Sequence, residues 1–297
     1  MTASTARFGV FVALLTALMF GAGGVVAAAI FDRVTPSQTA ASRAVIAAVV
    51  LLAYAAFRKR LAFGRDLWRF AVIGAIVAIL TLAYYESIDR LGVGPGITIQ
   101  FLAPVLVLAW VAAVRRESVT PTVWLAAIGA VTGVAFVTKA WQADGGDLVG
   151  IGFGLLSATL YASYILYGER LSSNHHPLAI GAWGFTFAAA IWLVLLPAWT
   201  FPWDAASEVA VELLAIGVLG TAIPFALSFV ALSVASPGVI GVVLTAEPPF
   251  AAVLAAVFLD QRLDPIQWVG VLLVAVAVSA MQRLSDRQVP AAANPGL

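Results

Sequence analysis

Between residues 8 and 282 the chain alternates apolar runs of about twenty residues with short polar stretches, and no other feature restricts its fold as much. A helix needs about 20 mostly apolar residues to cross the hydrocarbon core of a bilayer. Ten such spans are predicted, roughly 8–30, 37–57, 67–88, 95–114, 122–141, 148–168, 177–197, 208–232, 237–259 and 265–282. The runs are continuous rather than alternating, which favours helices over barrel strands. The first run follows Arg7 and ends in Ala27-Ala28-Ala29, much like a signal peptide, but its length and the similar runs after it mark it as a span. Composition agrees: 62% of residues are hydrophobic and 10% charged, where soluble domains carry about 25% charge. The expected class is an all-α integral membrane protein whose surroundings are the lipid bilayer.

Charge and cysteine content narrow the function. A net charge of +1, with no basic stretch interleaved with aromatics, argues against a nucleic-acid partner. The absence of cysteine removes disulfides, thiolate metal sites and cysteine nucleophiles. Orientation follows from Lys and Arg, which concentrate in cytoplasmic loops. An internal N-terminus puts Arg7, Arg58, Lys59, Arg60, Arg65, Arg69, Arg115, Arg116, Arg170, Arg283 and Arg287 inside. Only Arg33, Arg90, Lys139 and Arg262 then lie outside, so both termini are expected in the cytoplasm. Trp68, Trp124, Trp141, Trp199, Trp203 and Trp268 fall at span ends, as an interfacial belt requires.

The chain also repeats itself. A shift of 141 positions sets Gly9, Leu14, Leu15, Thr16, Phe20 and Pro36 on Gly150, Leu155, Leu156, Ser157, Tyr161 and Pro177. A shift of 143 sets Ile73-Gly74 on Ile216-Gly217, and one of 144 sets Leu102-Ala103-Pro104 on Ala246-Glu247-Pro248 and Pro121 and Trp124 on Pro265 and Trp268. Two five-span halves are expected, 1–143 and 144–287, with a disordered cytoplasmic tail over 288–297. Halves with an odd number of spans enter the membrane from opposite sides, so these are inverted repeats around a central cavity.

The segment AEPPFAAVLAAVFLDQRLDPIQWVG, Ala246 to Gly270, resembles the ending of EamA-type members of the drug/metabolite transporter superfamily, whose pattern runs E-P, a small apolar helix, G-E-x-L and P-x-Q-x-x-G. Ala103 to Trp124 resembles the same motif without its Glu, and Asp260 and Gln261 stand where the family often has Gly and Glu. Within the family the chain looks most like the YddG-type aromatic amino acid exporters. The resemblance implies ten helices, a cavity between the halves, and export of aromatic and other neutral amino acids across a bacterial inner membrane.

Candidate transport residues cluster at the repeat breaks. Glu247 is the one acidic residue near the middle of a predicted span, and an ionised carboxylate there costs on the order of 3 kcal/mol, so it must face protein or water. Pro248 and Pro249 lack N–H donors, and Pro104 repeats the break in the fourth span, after the glycines at 92–96. Matching broken helices are the strongest sequence pointer to a transporter's substrate site. Glu247 could contact a substrate ammonium, carry a proton or only tie the break together, with Thr245 beside it. Ser157, Tyr161, Tyr164 and Gly168 recur at helical spacing in the sixth span as a polar-aromatic stripe; their mates in the first span are Thr16, Phe20 and Gly23. The stripe suits a cavity wall that Gly23 and Gly24 keep open, a reading that the repeat symmetry favours over the alternative of helix packing. Gln100 and Tyr84 are expected at the cavity, so that substrate contacts fall on Phe20, Tyr84, Gln100, Ser157, Tyr161, Tyr164, Thr245 and Glu247, while Tyr85 fits the outer interface as well. Arg43 is expected to snorkel outward or pair with a loop acid, and His175 and His176 to be solvated in a loop.

A secondary exporter working by alternating access fits these features, with spans 1, 3, 4, 6, 8 and 9 around the substrate. An intramembrane enzyme would need a nucleophile with its base, a metal cluster or paired carboxylates, and the spans contain no His or Cys and one central acid. Neither a channel filter nor a phosphate-binding Gly-rich loop is present. No cofactor is implied, and a cavity inside one chain needs no second subunit. A multidrug or small-amine exporter of the same fold is the alternative.

Overall fold

The structure, a computed structural model, describes residues 3–61, 67–91, 98–139, 141, 148–258 and 263–287. The glycines at 92–96, Asp260, Gln261 and the tail at 288–297 lie outside the described residues. The described chain is helical and contains no strand. Among the described residues, seven helices are long and apolar enough to span a bilayer, and three shorter apolar ones bring the number to ten. They are α1 (Ala3–Ala28), α2 (Pro36–Phe57), α3 (Leu67–Leu91), α4 (Thr98–Ala113), α5 (Pro121–Thr138), α6 (Leu148–Ser172), α7 (Pro177–Leu195), α8 (Ala210–Val234), α9 and α10 (Pro265–Arg287). The ninth is in two pieces, α9a (Pro237–Leu244) and α9b (Glu247–Phe258). A short helix, Trp203–Glu208, precedes α8.

Local chemistry sets where the helices begin. Proline opens α2, α5, α7, α9a and α10, where its missing N–H would have had no intrahelical partner. Thr35 and Gln38 form a capping box at α2. His176 is exposed, as expected of a loop histidine, and it also caps α7, its Nδ1 accepting from the Leu178 N–H. Partial burial, then the charges of Arg60 and Arg58, shift its imidazole below the usual histidine value.

The packing follows a pseudo-two-fold pattern. Exchanging the halves turns the α1–α8 contact into α6–α3, and the α6–α4 contact into α1–α9b, while α2–α7 and α5–α10 map onto themselves. Outward faces carry Val49, Leu125, Val194, Leu272 and Val276, all exposed as lipid-facing residues are. Of the six span-end tryptophans, five are exposed and Trp124 packs partly against the core.

Both expected breaks form, at equivalent places. Helix α4 turns at residues 101–102 just before Ala103 and Pro104, and α9 turns at residues 245–246 just before Glu247 and Pro248. Tight bonds close each turn: Leu102 N–H to Ile99 O at 3.1 Å, and Thr245 N–H to Val242 O at 3.1 Å. A third irregularity was not foreseen. Residues Val218–Ala222 of α8 form a π turn ahead of Pro224, a feature frequent at functional sites.

The P-x-Q-x-x-G segment has a structural reason at each position. Asp264 and Gln267 cap α10 reciprocally, at 3.0 and 3.1 Å, and the Gln267 amide reaches across to Val137 O at 2.8 Å. Lys139 sits 2.5 Å from the Asp264 carboxylate, and with the Gln267 N–H holds that carboxyl below the usual range. A Cβ on Gly270 would lie 2.6 Å from Gly133 O and 2.7 Å from Val137 N, so only glycine allows α5 and α10 to cross this closely. Gly270→Ala should therefore cost about 1–3 kcal/mol, read as a lower melting temperature of the detergent-purified protein. Gly24→Ala, whose Cβ meets nothing within 4 Å, should leave it unchanged.

Candidate substrate site

The two breaks and the π turn surround one cavity of about 70 Å³. That is room for about five to seven waters at ~10–15 Å³ each. Its wall comes from Phe20 of α1, Arg43 of α2, Leu80, Thr81 and Tyr84 of α3, Gln100 of α4, Tyr161 and Tyr164 of α6, Phe225 of α8 and Glu247 of α9b. Both halves contribute, and α2 joins the six expected helices.

Six of the eight residues expected to bind substrate meet at this wall: Phe20, Tyr84, Gln100, Tyr161, Tyr164 and Glu247. Ser157 and Thr245 do not reach it. Ser157 is fully buried behind Gln100, donating to Gln100 Oε1 at 2.6 Å. That bond occupies Gln100 Oε1 and leaves the Nε2 amide of this cavity-lining residue without a partner among the described residues. Thr245 is fully buried in the α9 break, its hydroxyl closing on Val242 O at 2.6 Å. Gly23 does not open the wall either. A Cβ there would lie 2.7 Å from Gly220 Cα, so Gly23 marks the crossing of α1 and α8. Pro104, Pro248 and Pro249 are buried at the breaks.

The aromatic side of the cavity is rigid. Phe20 stands edge-on to Phe225 at 4.9 Å between centroids, and Tyr164 to Phe225 at 5.5 Å. The Tyr164 hydroxyl is hydrogen-bonded to Ser228. The hydroxyls of Tyr84 and Tyr161 have no hydrogen-bond partner among the described residues. Tyr85 is buried rather than at the outer interface.

Arg43 corrects the sequence expectation. It neither snorkels nor meets a loop acid but turns inward, donating from Nε to Thr221 Oγ1 at 2.8 Å, from Nη1 to Tyr85 Oη at 2.9 Å and from Nη2 to Gly220 O at 3.3 Å. Gly220 and Thr221 lie in the π turn, and Thr221 Oγ1 itself donates to Ile216 O at 2.7 Å. A lone intramembrane cation marks a functional site by default, so a signal was available; what decides its direction is acceptors from α3 and α8. Leu80, Thr81 and Phe225 were also missed. Thr81 and Tyr84 share a helix face at i, i+3 spacing, which could have found the former.

Comparison with known proteins places this geometry. The sequence model of the EamA-like transporter family matches residues 7–139 and again residues 148–281. The threonine/homoserine exporter RhtA of Escherichia coli K12 is 28% identical over 263 residues, covering 86% of this chain and 85% of that one. RhtA of Salmonella typhimurium SL1344 is 27% identical, with coverage of 98% and 97%. An uncharacterised inner membrane transporter, YicL, of Salmonella typhimurium LT2 is 22% identical, with coverage of 96% and 99%. A solved crystal structure superposes with a TM-score of 0.77 at 17% identity, covering 96% of this chain and 99% of that one, a likeness of fold. The relatives with a named cargo are threonine/homoserine exporters, not the aromatic amino acid exporters that the sequence suggested.

The Ser157–Gln100 bond yields a test of the wall. Gln100→Leu leaves the buried Ser157 hydroxyl without its acceptor and should cost about 1–3 kcal/mol. Adding Ser157→Ala should recover part of that loss in thermal unfolding of the purified protein.

Proposed function

Because the chain belongs to the EamA-like transporter family, we propose that it is a secondary exporter that moves amino acids out of the cytoplasm across the bacterial inner membrane by alternating access. The observation that carries the reading is the cavity lined by both halves, with Arg43, Gln100 and Glu247 on an otherwise largely aromatic and apolar wall and a broken helix from each half at its edge. The relatives named as threonine/homoserine exporters supply the cargo class. A cavity of about 70 Å³ suits a small hydroxy amino acid better than an indole. The aromatic wall of Phe20, Tyr161, Tyr164 and Phe225 favours a second reading, export of aromatic or other apolar amino acids.

With both termini in the cytoplasm, as the Lys and Arg distribution implies, the halves are tied together at both ends of the bundle. On the inner side Arg115 chelates the Glu169 carboxylate, Tyr167 Oη donates to Arg69 O at 3.3 Å, and the His175 ring stands on Phe70 at 5.0 Å. On the outer side Arg33 meets Glu208 at 2.7 Å, and Lys139 meets Asp264. Rocking about the breaks at residues 101–102 and 245–246 would release one set of ties while the other holds.

In proteoliposomes, labelled threonine and homoserine should exchange saturably, faster than phenylalanine and tryptophan. Exchange confined to the aromatic pair would favour the second reading. Exchange of none of the four would overturn amino acid export.

A further inference from the structure

The cavity is lined by one basic and one acidic side chain, Arg43 and Glu247, and neither has an ionic partner among the described residues. Arg43 commits three of its five N–H donors, all to neutral acceptors, on Thr221, Tyr85 and Gly220. One N–H remains on each Nη, and no carboxylate pairs with the guanidinium among the described residues. Glu247 accepts no hydrogen bond and forms no ion pair among the described residues, although its carboxylate faces the same cavity. The two charges are not in contact with each other. An uncompensated charge in a low-dielectric interior is costly, and a basic and an acidic group on the wall of one small cavity suit a molecule that presents both complementary charges at once.

Resting on the amino acid reading above, we propose that Arg43 binds the α-carboxylate and Glu247 the α-ammonium of one substrate molecule, so that the cavity selects zwitterions and rejects amines and carboxylic acids. The pairing has the right chemistry at both ends. The two remaining Arg43 donors match a carboxylate, where charge-assisted bonds are strongest, and the Gln100 Nε2 amide adds a third donor from α4. A carboxylate accepts from an ammonium in the same way at Glu247. The substrate side chain then meets the rest of the wall, where the Tyr84 and Tyr161 hydroxyls have unused hydrogen-bonding capacity and Thr81 Oγ1, whose proton goes to Val77 O at 2.8 Å, keeps lone pairs. A hydroxylated side chain would be satisfied there. Arg43 is anchored to the π turn of α8, and Glu247 begins the helix after the α9 break. A zwitterion bound between them would therefore link α2 and α8 to the break.

The test is competition against labelled threonine in proteoliposomes. Threoninol keeps the ammonium and the side-chain hydroxyl but has no carboxylate; 3-hydroxybutyrate keeps the carboxylate and the hydroxyl but has no ammonium. In the wild type each should compete more weakly than threonine, on the order of 10- to 100-fold, the size of a lost charge-assisted hydrogen bond. Arg43→Gln should narrow the gap between threonine and threoninol and keep the one to 3-hydroxybutyrate, and Glu247→Gln should do the reverse. Threonine transport with either analogue competing as well as threonine in the wild type overturns the proposal and leaves amino acid export standing, and this result needs no folded variant. Variants that shift both gaps alike also overturn it. A wild type that moves no amino acid at all overturns the cargo reading beneath it.

Discussion

In hydrocarbon a backbone carbonyl or N–H without a partner costs several kcal/mol, so a helix that breaks inside the membrane must be wrapped in protein or line a polar cavity. This chain breaks two helices at equivalent points of its two halves and bends a third through a π turn. The consequences reach the whole molecule. Every residue of α9a is buried, because a helix that ends in mid-membrane can lie only at the centre of the bundle. Its mate, α4, is buried over Phe101, Ala103 and Pro104 for the same reason. The other helices take their places around these two, and the cavity with its few polar groups sits beside the breaks.

Close approach makes that arrangement possible. Gly23 and Gly220 let α1 and α8 touch backbone to backbone, and Gly133 and Gly270 do the same for α5 and α10. Lipid is as apolar as a helix face, so such contacts, rather than burial from water, hold membrane helices together. At the α1–α8 crossing the π turn also presents Gly220 O and Thr221 Oγ1 inward, where Arg43 takes both. One local irregularity thus packs a helix pair and aims the cation of the cavity.

The span pattern, the internal repeat and the two proline breaks were legible because each rests on local chemistry: length, residue type and the missing proline N–H. So were the residues that a helical stripe or a break brings inward, such as Tyr161, Tyr164, Gln100 and Glu247. Arg43 was misread because its direction depends on acceptors more than 40 positions away on α3 and nearly 180 away on α8. Ser157 and Gly23 had the right face of the right helix, but a neighbour stands between each of them and the cavity. Periodicity gives a face and not the depth behind it.

The central claim is that substrate occupies this cavity between Arg43 and Glu247. The chain has no cysteine, so Thr81→Cys introduces a single thiol at the cavity wall. The most direct measurement is the rate at which a small methanethiosulfonate reagent modifies that thiol, with and without threonine. Slowing by threonine at the concentrations that saturate its transport is the predicted result. Unchanged modification under conditions where threonine is transported would place the substrate elsewhere and contradict the account.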